Sequence, residues 1–462
     1  MIDELSAALA QHLAGTSFAQ LPANAIDAAK ESLIDTFACA LAGRGAPGTD
    51  GVLAVCRTGQ AQGRSRVWSS GETLPGRQAA FANSVFAAAL DYDSVFHDGV
   101  VHSDIVVVPT AVAMAETLGC SGDALLAAIA LGNDVLCRLS LATRGQRKGW
   151  FFTSIYGVLV SAGVTARMLG GDARRVADAM GLALFYAGGT YQAMTEQSMS
   201  KRLSAAFAVD AGIHCGHLAM AGCEGVQAPL LGAQGLFAMY QQGDPAAVVE
   251  RLGEQYLGTR IGRKPYPSCQ CNHAPIEAAL QLRREHAIDS AQVHDVDVFL
   301  SPHACRVVGS TPTTTAYSQT AAQFSVQYSL AAALLRGRFG IGEIQPPALA
   351  DPHITALAER VRVIEDSGNP QTYVPATVRI RLRNGTEFTR VSHANRGAAD
   401  LPLSRDEMRD KFRDCLLSSD PDLSDLAIAG CFDALLYIDQ ADDVSAALSA
   451  LDVLWRPTIT SR

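Results

Sequence analysis

The chain has 462 residues, of which 48% are hydrophobic and 18% charged, a length that favours two domains and a composition that excludes a disordered protein. A formal net charge of -9 argues against nucleic acid or an anionic membrane surface as the main partner, since both demand a basic footprint. Eleven scattered cysteines without CxxC or zinc-type spacing argue against a disulfide framework or structural metal and fit reduced thiols in a cytoplasm.

In chain order, Met1 to Leu5 shows no basic leader ahead of an apolar core, and no unbroken apolar run reaches about 18 residues, so neither export nor a membrane span is expected. From about residue 20 to 260, Ala and Leu recur at helical spacing with glycines at the ends of segments. The pattern predicts helices over 24–41, closed by Gly43; over 122–142, entered through Ser121 and Asp123; over 173–184, capped by Asp172; and over 204–221. Two prolines in Lys264-Pro265-Tyr266-Pro267 stop any helix and mark a boundary. Beyond it, 296–300 reads as a strand. Residues 377–382 and 386–391 read as a hairpin about Asn384-Gly385, a pair that accepts the positive φ of a tight turn. Helices are predicted over 275–285, 322–335 and 353–363. After residue 400 the helical texture returns behind a capping box, Ser404 to Glu407. The expectation is a mainly α protein with one large helical domain, a smaller α+β domain, and a C-terminal segment that rejoins the first.

Three clusters carry candidate chemistry. Asp91, Tyr92, Asp93, Ser94, His97, Asp98, His102 and Asp104 lie between two apolar stretches, where unpaired carboxylates and imidazoles would cost several kcal/mol. They must pair, cap helices or face a wet cleft; a metal site at this spacing is the sharper alternative, though no HxxxH-type pair accompanies it. Arg263, Lys264, Ser268, Cys269, Cys271 and His273 stand at the expected domain junction, where small-molecule clefts form. Cations ahead of a rigid turn suit a carboxylate there; Cys269 and Cys271 as nucleophile or redox pair is the alternative reading. Lys201-Arg202 opens a helix and, in isolation, reads as a solvated pair. Lysine is scarce, at positions 30, 148, 201, 264 and 411, which makes each context informative. His214 and His217, three residues apart in an Ala-rich helix, read as interior or interface histidines rather than ligands.

Taken together, these stretches resemble the MmgE/PrpD family over nearly the whole chain. Ala89-Leu90-Asp91-Tyr92-Asp93-Ser94 followed by His102-Ser103 is similar to the family's Ala-Leu-Asp-Phe-Asp-Asp and His-Pro-Ser. Lys264-Pro265-Tyr266-Pro267-Ser268-Cys269, with His273 four residues on, matches the family's second motif without a gap. The Trp150 to Ser154 stretch before Gly157, the Lys201 segment and Phe324-Ser325 point the same way. The resemblance implies an all-helical domain from both ends of the chain (1–263 and 400–462), an α+β lid (264–399), an active site between them, a homodimer, and no metal or organic cofactor.

It also implies reactions that place negative charge on carbon beside a carboxylate, where cations in a water-poor cleft stabilise it. Lys264 and Lys201 are then expected to bind carboxylate, with Arg202 as helper, and His102 to act as acid/base, its ordinary pKa of about 6.5 being close to working pH. Asp91 and Asp93 would orient histidines or handle a hydroxyl, and His273 would close the lid side. Tyr92, Ser94, His97, Ser268 and Cys269 complete the expected substrate contacts. Phe151 and Ser204 stand where relatives carry histidines, and Ser94 where they carry an aspartate. The leading expectation is dehydration of a small hydroxy-polycarboxylate of the 2-methylcitrate type. Decarboxylation of a cis-aconitate-like acid and epimerisation are the alternatives in the same cleft, and a catalytically silent dimeric binding protein is the alternative outside catalysis. Two-faced epimerisation is disfavoured by the missing imidazoles at 151 and 204.

Overall fold

Several helix ends in this protein sit where a side chain satisfies the first free backbone N–H groups, or where glycine follows. The computed structural model describes residues 2–58, 62–143, 149–240, 243–310 and 317–455; Lys148 lies outside them. Helix α1 (Glu4–Gly15) is capped by Asp3, whose carboxylate accepts from Ser6 N at 2.8 Å. Helices α2 (Ala23–Ala42), α3 (Gly76–Ala88), α4 (Asp104–Leu118) and α5 (Gly122–Leu141) follow. Then come α6 (Phe152–Met168), α7 (Ala173–Ala183) and α8 (Ser204–Met220). Gly43, Ser121 and Asp172 stand at the expected caps. The protein is mainly α. Among the described residues α5 alone is long and apolar enough to cross a membrane, and it is buried inside the helical layers.

The core of those layers is α6, flanked by α4, α5, α7 and α8. Its approach to α8 is close because α8 presents Gly212 and Gly216 to it. A methyl on Gly212 would fall 2.4 Å from Ser161 Cβ, and one on Gly216 2.6 Å from Thr165 Cβ. Two glycines four residues apart thus let the helix backbones meet.

A four-stranded sheet follows, from β3 (Val293–Leu300), β4 (Val361–Glu365), β5 (Ala376–Leu382) and β6 (Glu387–Ser392), in the order β4-β3-β5-β6. Among the two-residue strands that precede it, β1 (Val95–Phe96) and β2 (Ile261–Gly262) pair with one another. β3 and β4 run parallel and the rest antiparallel. The Asn384-Gly385 turn joins β5 to β6, with Gly385 at φ +86°. Helix α9 (His273–Glu285) covers β5 and β6 and packs on α12 (Val326–Arg336).

Two expected helices are divided. The segment 322–335 is a short helix α11 (Gln319–Gln323) and then α12, separated because Ser325 turns out to cap α12 through Tyr328 N. The segment 353–363 is α13 (Pro352–Ala358) followed by β4, the alternating residues of 361–365 pairing with β3 instead of extending the helix. The short α10 (Pro302–Val308) follows β3 directly. At the end, α14 (Arg405–Ser419) carries the predicted capping box and packs on α2, and α15 (Asp425–Leu436) follows.

Candidate active site

The local folding of three separate stretches delivers their charged side chains to one place. Leaving α3, the chain turns at Asp91, whose φ of +50° is rare for a residue with a side chain. It then forms β1, with Val95 opposite Gly262 and Phe96 opposite Ile261. Because Arg263 and Lys264 follow β2 immediately, the pairing brings Lys264 beside the Asp91 turn. Gly262 fits here since a methyl would lie 2.6 Å from the His97 ring and from Gly397 O. Lys201 arrives on a single 3-10 turn, Met199–Leu203, capped by Ser198 ahead of α8.

Asp91 is the hub. One carboxylate oxygen pairs with the Lys201 amino group and the other lies 3.0 Å from Lys264 Nζ, which also donates to Asp91 O at 2.8 Å. Burial alone would raise this carboxyl's pKa, but the charges of Lys201, Lys264 and His102 outweigh it and hold Asp91 far below the usual range. Burial opposes the charge on Lys201, and Asp91 and Asp93 restore it, pushing the amine above its ordinary value. The resemblance implied that Asp91 orients histidines or handles a substrate hydroxyl; in the structure it bridges two lysines.

Asp93 takes the other part of that expectation. Its carboxylate lies 2.7 Å from His102 Nδ1, which is also 2.9 Å from Ser94 O. Both neighbours are acceptors, so Nδ1 carries a proton and Nε2 is the atom left to exchange one with a ligand. Burial opposes ionisation of Asp93, yet His102 and the two lysines bring it down to about 2.

Asp91, His102, Lys201 and Lys264 line one cleft, together with Cys269. Phe151 also lines it, so the position where relatives carry an imidazole does face the cavity. The other predicted residues stand behind this wall. Tyr92 Oη donates to Pro265 O at 3.3 Å, and Ser94 Oγ to Asp104 at 2.6 Å. Arg202 turns away to Pro47 O (2.8 Å) and Gln319 (3.4 Å), burial lowering its pKa to about 10. His273 binds Ser268 O at 3.1 Å; burial and then Lys264 push it down to about 3, and burial takes His97 to about 4. Both imidazoles are therefore neutral near pH 7. Ser268 is buried, Ser204 is occupied with Lys201 O, and His214 and His217 lie on α8 outside the cleft lining. Cys269 and Cys271 both reach the cleft, and a hydrogen bond from Cys271 lowers the Cys269 thiol. Among the described residues no group of three or more His, Cys, Asp or Glu side chains converges as a metal site.

Sequence reasoning missed Tyr191, Met194, His303 and Tyr373, which complete the wall. Only His303 had a local signal: it sits at the start of α10, behind a Ser-Pro cap that directly follows β3, a junction where strand ends deliver side chains to clefts.

The family model for the MmgE/PrpD N-terminal domain matches residues 7–248, and that for the MmgE/PrpD C-terminal domain matches residues 266–433. The stretch between the two matches, 249–265, contains Lys264. Among curated proteins, the chain is similar to a cis-aconitate decarboxylase of Aspergillus terreus (strain NIH 2624 / FGSC A1156), at 27% identity over 94% of this chain and 92% of that protein. It is likewise similar to the cis-aconitate decarboxylases of Mus musculus (25%, covering 89% and 87%) and Homo sapiens (26%, covering 76% and 74%).

Proposed function

Because the chain belongs to the MmgE/PrpD family, we propose that it is a lyase acting on a small polycarboxylate, with decarboxylation of a cis-aconitate-like acid as the reaction its relatives favour and its cleft can perform. The observation that carries this reading is the joining of Asp91, Lys201, Lys264 and His102 around one cavity, with Asp93 behind His102. Lys201, Lys264 and an imidazolium at His102, the form that donates a proton, face two carboxylates, Asp91 and Asp93, so one positive charge is left for an anionic ligand. The substrate's carboxylate is held by Lys201 and Lys264; a second carboxylate leaves as CO2 when its C–C bond breaks. The electron pair stays on the substrate, spread over the double bond and the remaining carboxylate, where the ammonium groups stabilise it. A proton from His102 Nε2 then closes the new C–H bond, while Asp93 supports the charge on the ring. These steps need only an acid and fixed cations.

Dehydration, the leading expectation from the sequence, would draw on the same groups. Purified protein incubated in D2O with citrate-like, cis-aconitate-like and aspartate-derived acids, followed by proton NMR, separates the outcomes. Loss of CO2 with one deuterium incorporated supports the proposal. Loss of water instead would make the enzyme a hydro-lyase, and deuterium entry without net change an epimerase. A folded protein inert to the whole panel would refute the lyase reading.

We propose further that 1–263 with 400–462 form the helical domain and 264–399 the lid, consistent with the packing of α14 on α2. A cytoplasmic homodimer is part of the same proposal, supported by eleven free cysteines and by the exposed rings of Phe185, Tyr186 and Phe207.

A further inference from the structure

Three carbonyls of the turn that carries Asp91 and Asp93, those of Asp91, Tyr92 and Ser94, are each met by a charged or ionisable side chain. Lys264 Nζ donates to Asp91 O at 2.8 Å, His102 Nδ1 meets Ser94 O at 2.9 Å, and Lys411 Nζ donates to Tyr92 O at 2.9 Å. The first two residues line the cleft; Lys411 does not. It comes from α14, 319 positions further along the chain. Its amino group also pairs with Asp35 of α2 at 2.6 Å and stands 4.1 Å above the Tyr92 ring. Both members of the ion pair are buried, with side-chain exposures of 4% and 2%.

A buried ion pair is an expensive way to join two helices, because desolvation cancels most of the attraction and apolar side chains would do as well. What apolar side chains cannot supply is a donor aimed at Tyr92 O. That carbonyl belongs to the peptide between Tyr92 and Asp93, so its direction sets how Asp93 leaves the backbone and meets His102. The turn also begins at Asp91 with a positive φ, a conformation that persists in a residue with a side chain only where its surroundings enforce it. Around the pair stand the Cys39 and Cys415 thiols, with Arg263 and Asp104 in electrostatic reach of Asp35.

We propose that Lys411 is a positioning residue of the reaction: anchored by Asp35 and donating to Tyr92 O, it fixes the Asp91–Asp93 turn and so the pairing of Asp93 with His102. This rests on the lyase reading for its turnover readout but not for its structural one. The variants are Lys411→Met, Asp35→Asn, and the double Asp35→Asn/Lys411→Met, which leaves no unpaired charge and so keeps the fold if the single lysine variant does not. Each is checked by circular dichroism and thermal melting. In the folded double variant kcat is expected to fall by about 10- to 100-fold, the scale of a small misplacement of reacting groups, with KM within about threefold because Lys201 and Lys264 are untouched. Asp35→Asn alone, which keeps the donor to Tyr92 O, should stay within about threefold in kcat even if it melts earlier. A merely structural pair would make the two variants equal. Independently of turnover, the His102 ring titration followed by NMR should move in the double variant and not in Asp35→Asn. An unmoved His102 titration in the folded double variant overturns the proposal, as does a kcat equal to that of Asp35→Asn. If the wild type turns over none of the acids, the lyase reading falls while the His102 titration still decides the role of Lys411.

Discussion

At Asp91, two lysines share one carboxylate, and removing either leaves a different deficit. Lys264→Ala takes away the ammonium that holds both the carboxylate and the main-chain oxygen of Asp91. Turnover is expected to drop by about 10^2- to 10^3-fold, the scale of losing one preorganised charge-stabilising donor, in the same NMR assay; full activity would refute the anion-binding role. The titration of the buried acids also has a readable sign. Asp93, lowered to about 2, contributes stability that is complete above its unfolded value near 3.8 and is lost as pH falls through about 2. Urea melts between pH 5 and 2 should therefore steepen less for Asp93→Asn than for wild type. Glu116 behaves oppositely: burial raises it to about 7 despite Arg66, so stability declines as pH rises from about 4.5 to about 7. Glu116→Gln should flatten the dependence of melting temperature on pH across that window. The ionisable part of the cleft was legible because lysines are few here and because carboxylates between apolar stretches demand partners. Tyr191, Met194 and Tyr373 had no such mark: aromatic and thioether side chains look alike in a core and in a cavity wall, and only the fold separates the two.

Helices meet here on glycine, and the sharpest test is at Gly212. Alanine would gain about 1 kcal/mol in helix propensity, yet its methyl would lie 2.4 Å from Ser161 Cβ and 2.9 Å from Val158 O. The second atom is backbone and cannot rotate away, so overpacking wins and Gly212→Ala should destabilise by about 1–2 kcal/mol in urea unfolding. The same scale shows what could be read in advance. The β5–β6 hairpin was visible because Asn-Gly is a local determinant, and α2, α5 and α8 because their periodicity is long. The helices expected over 322–335 and 353–363 failed for one reason, that a short apolar stretch is assigned by its partner. Ser325 caps a new helix, and 361–365 find β3 alongside them.

On the whole molecule, Phe185 and Phe207 are 77% and 60% exposed, with Tyr186 close enough to Arg77 to feel its charge, and Arg77 pairs with Asp210 one turn beyond Phe207. If the proposed homodimer forms, these exposed rings are where its contact is expected. Phe207→Glu should halve the mass seen by light scattering on a sizing column, while an unchanged mass would locate the contact elsewhere. A last consequence comes from the four-residue ladder of β1 and β2. It ties the carboxylate loop to the strand leading into Lys264 at the edge of the cavity itself, like a hinge pin set beside the lock. Backbone pairing therefore holds Asp91 and Lys264 together in addition to their own ion pair, whereas His303 and Tyr373, which line the same cavity, come from other stretches of the chain. The charged groups are thus already assembled before anything enters.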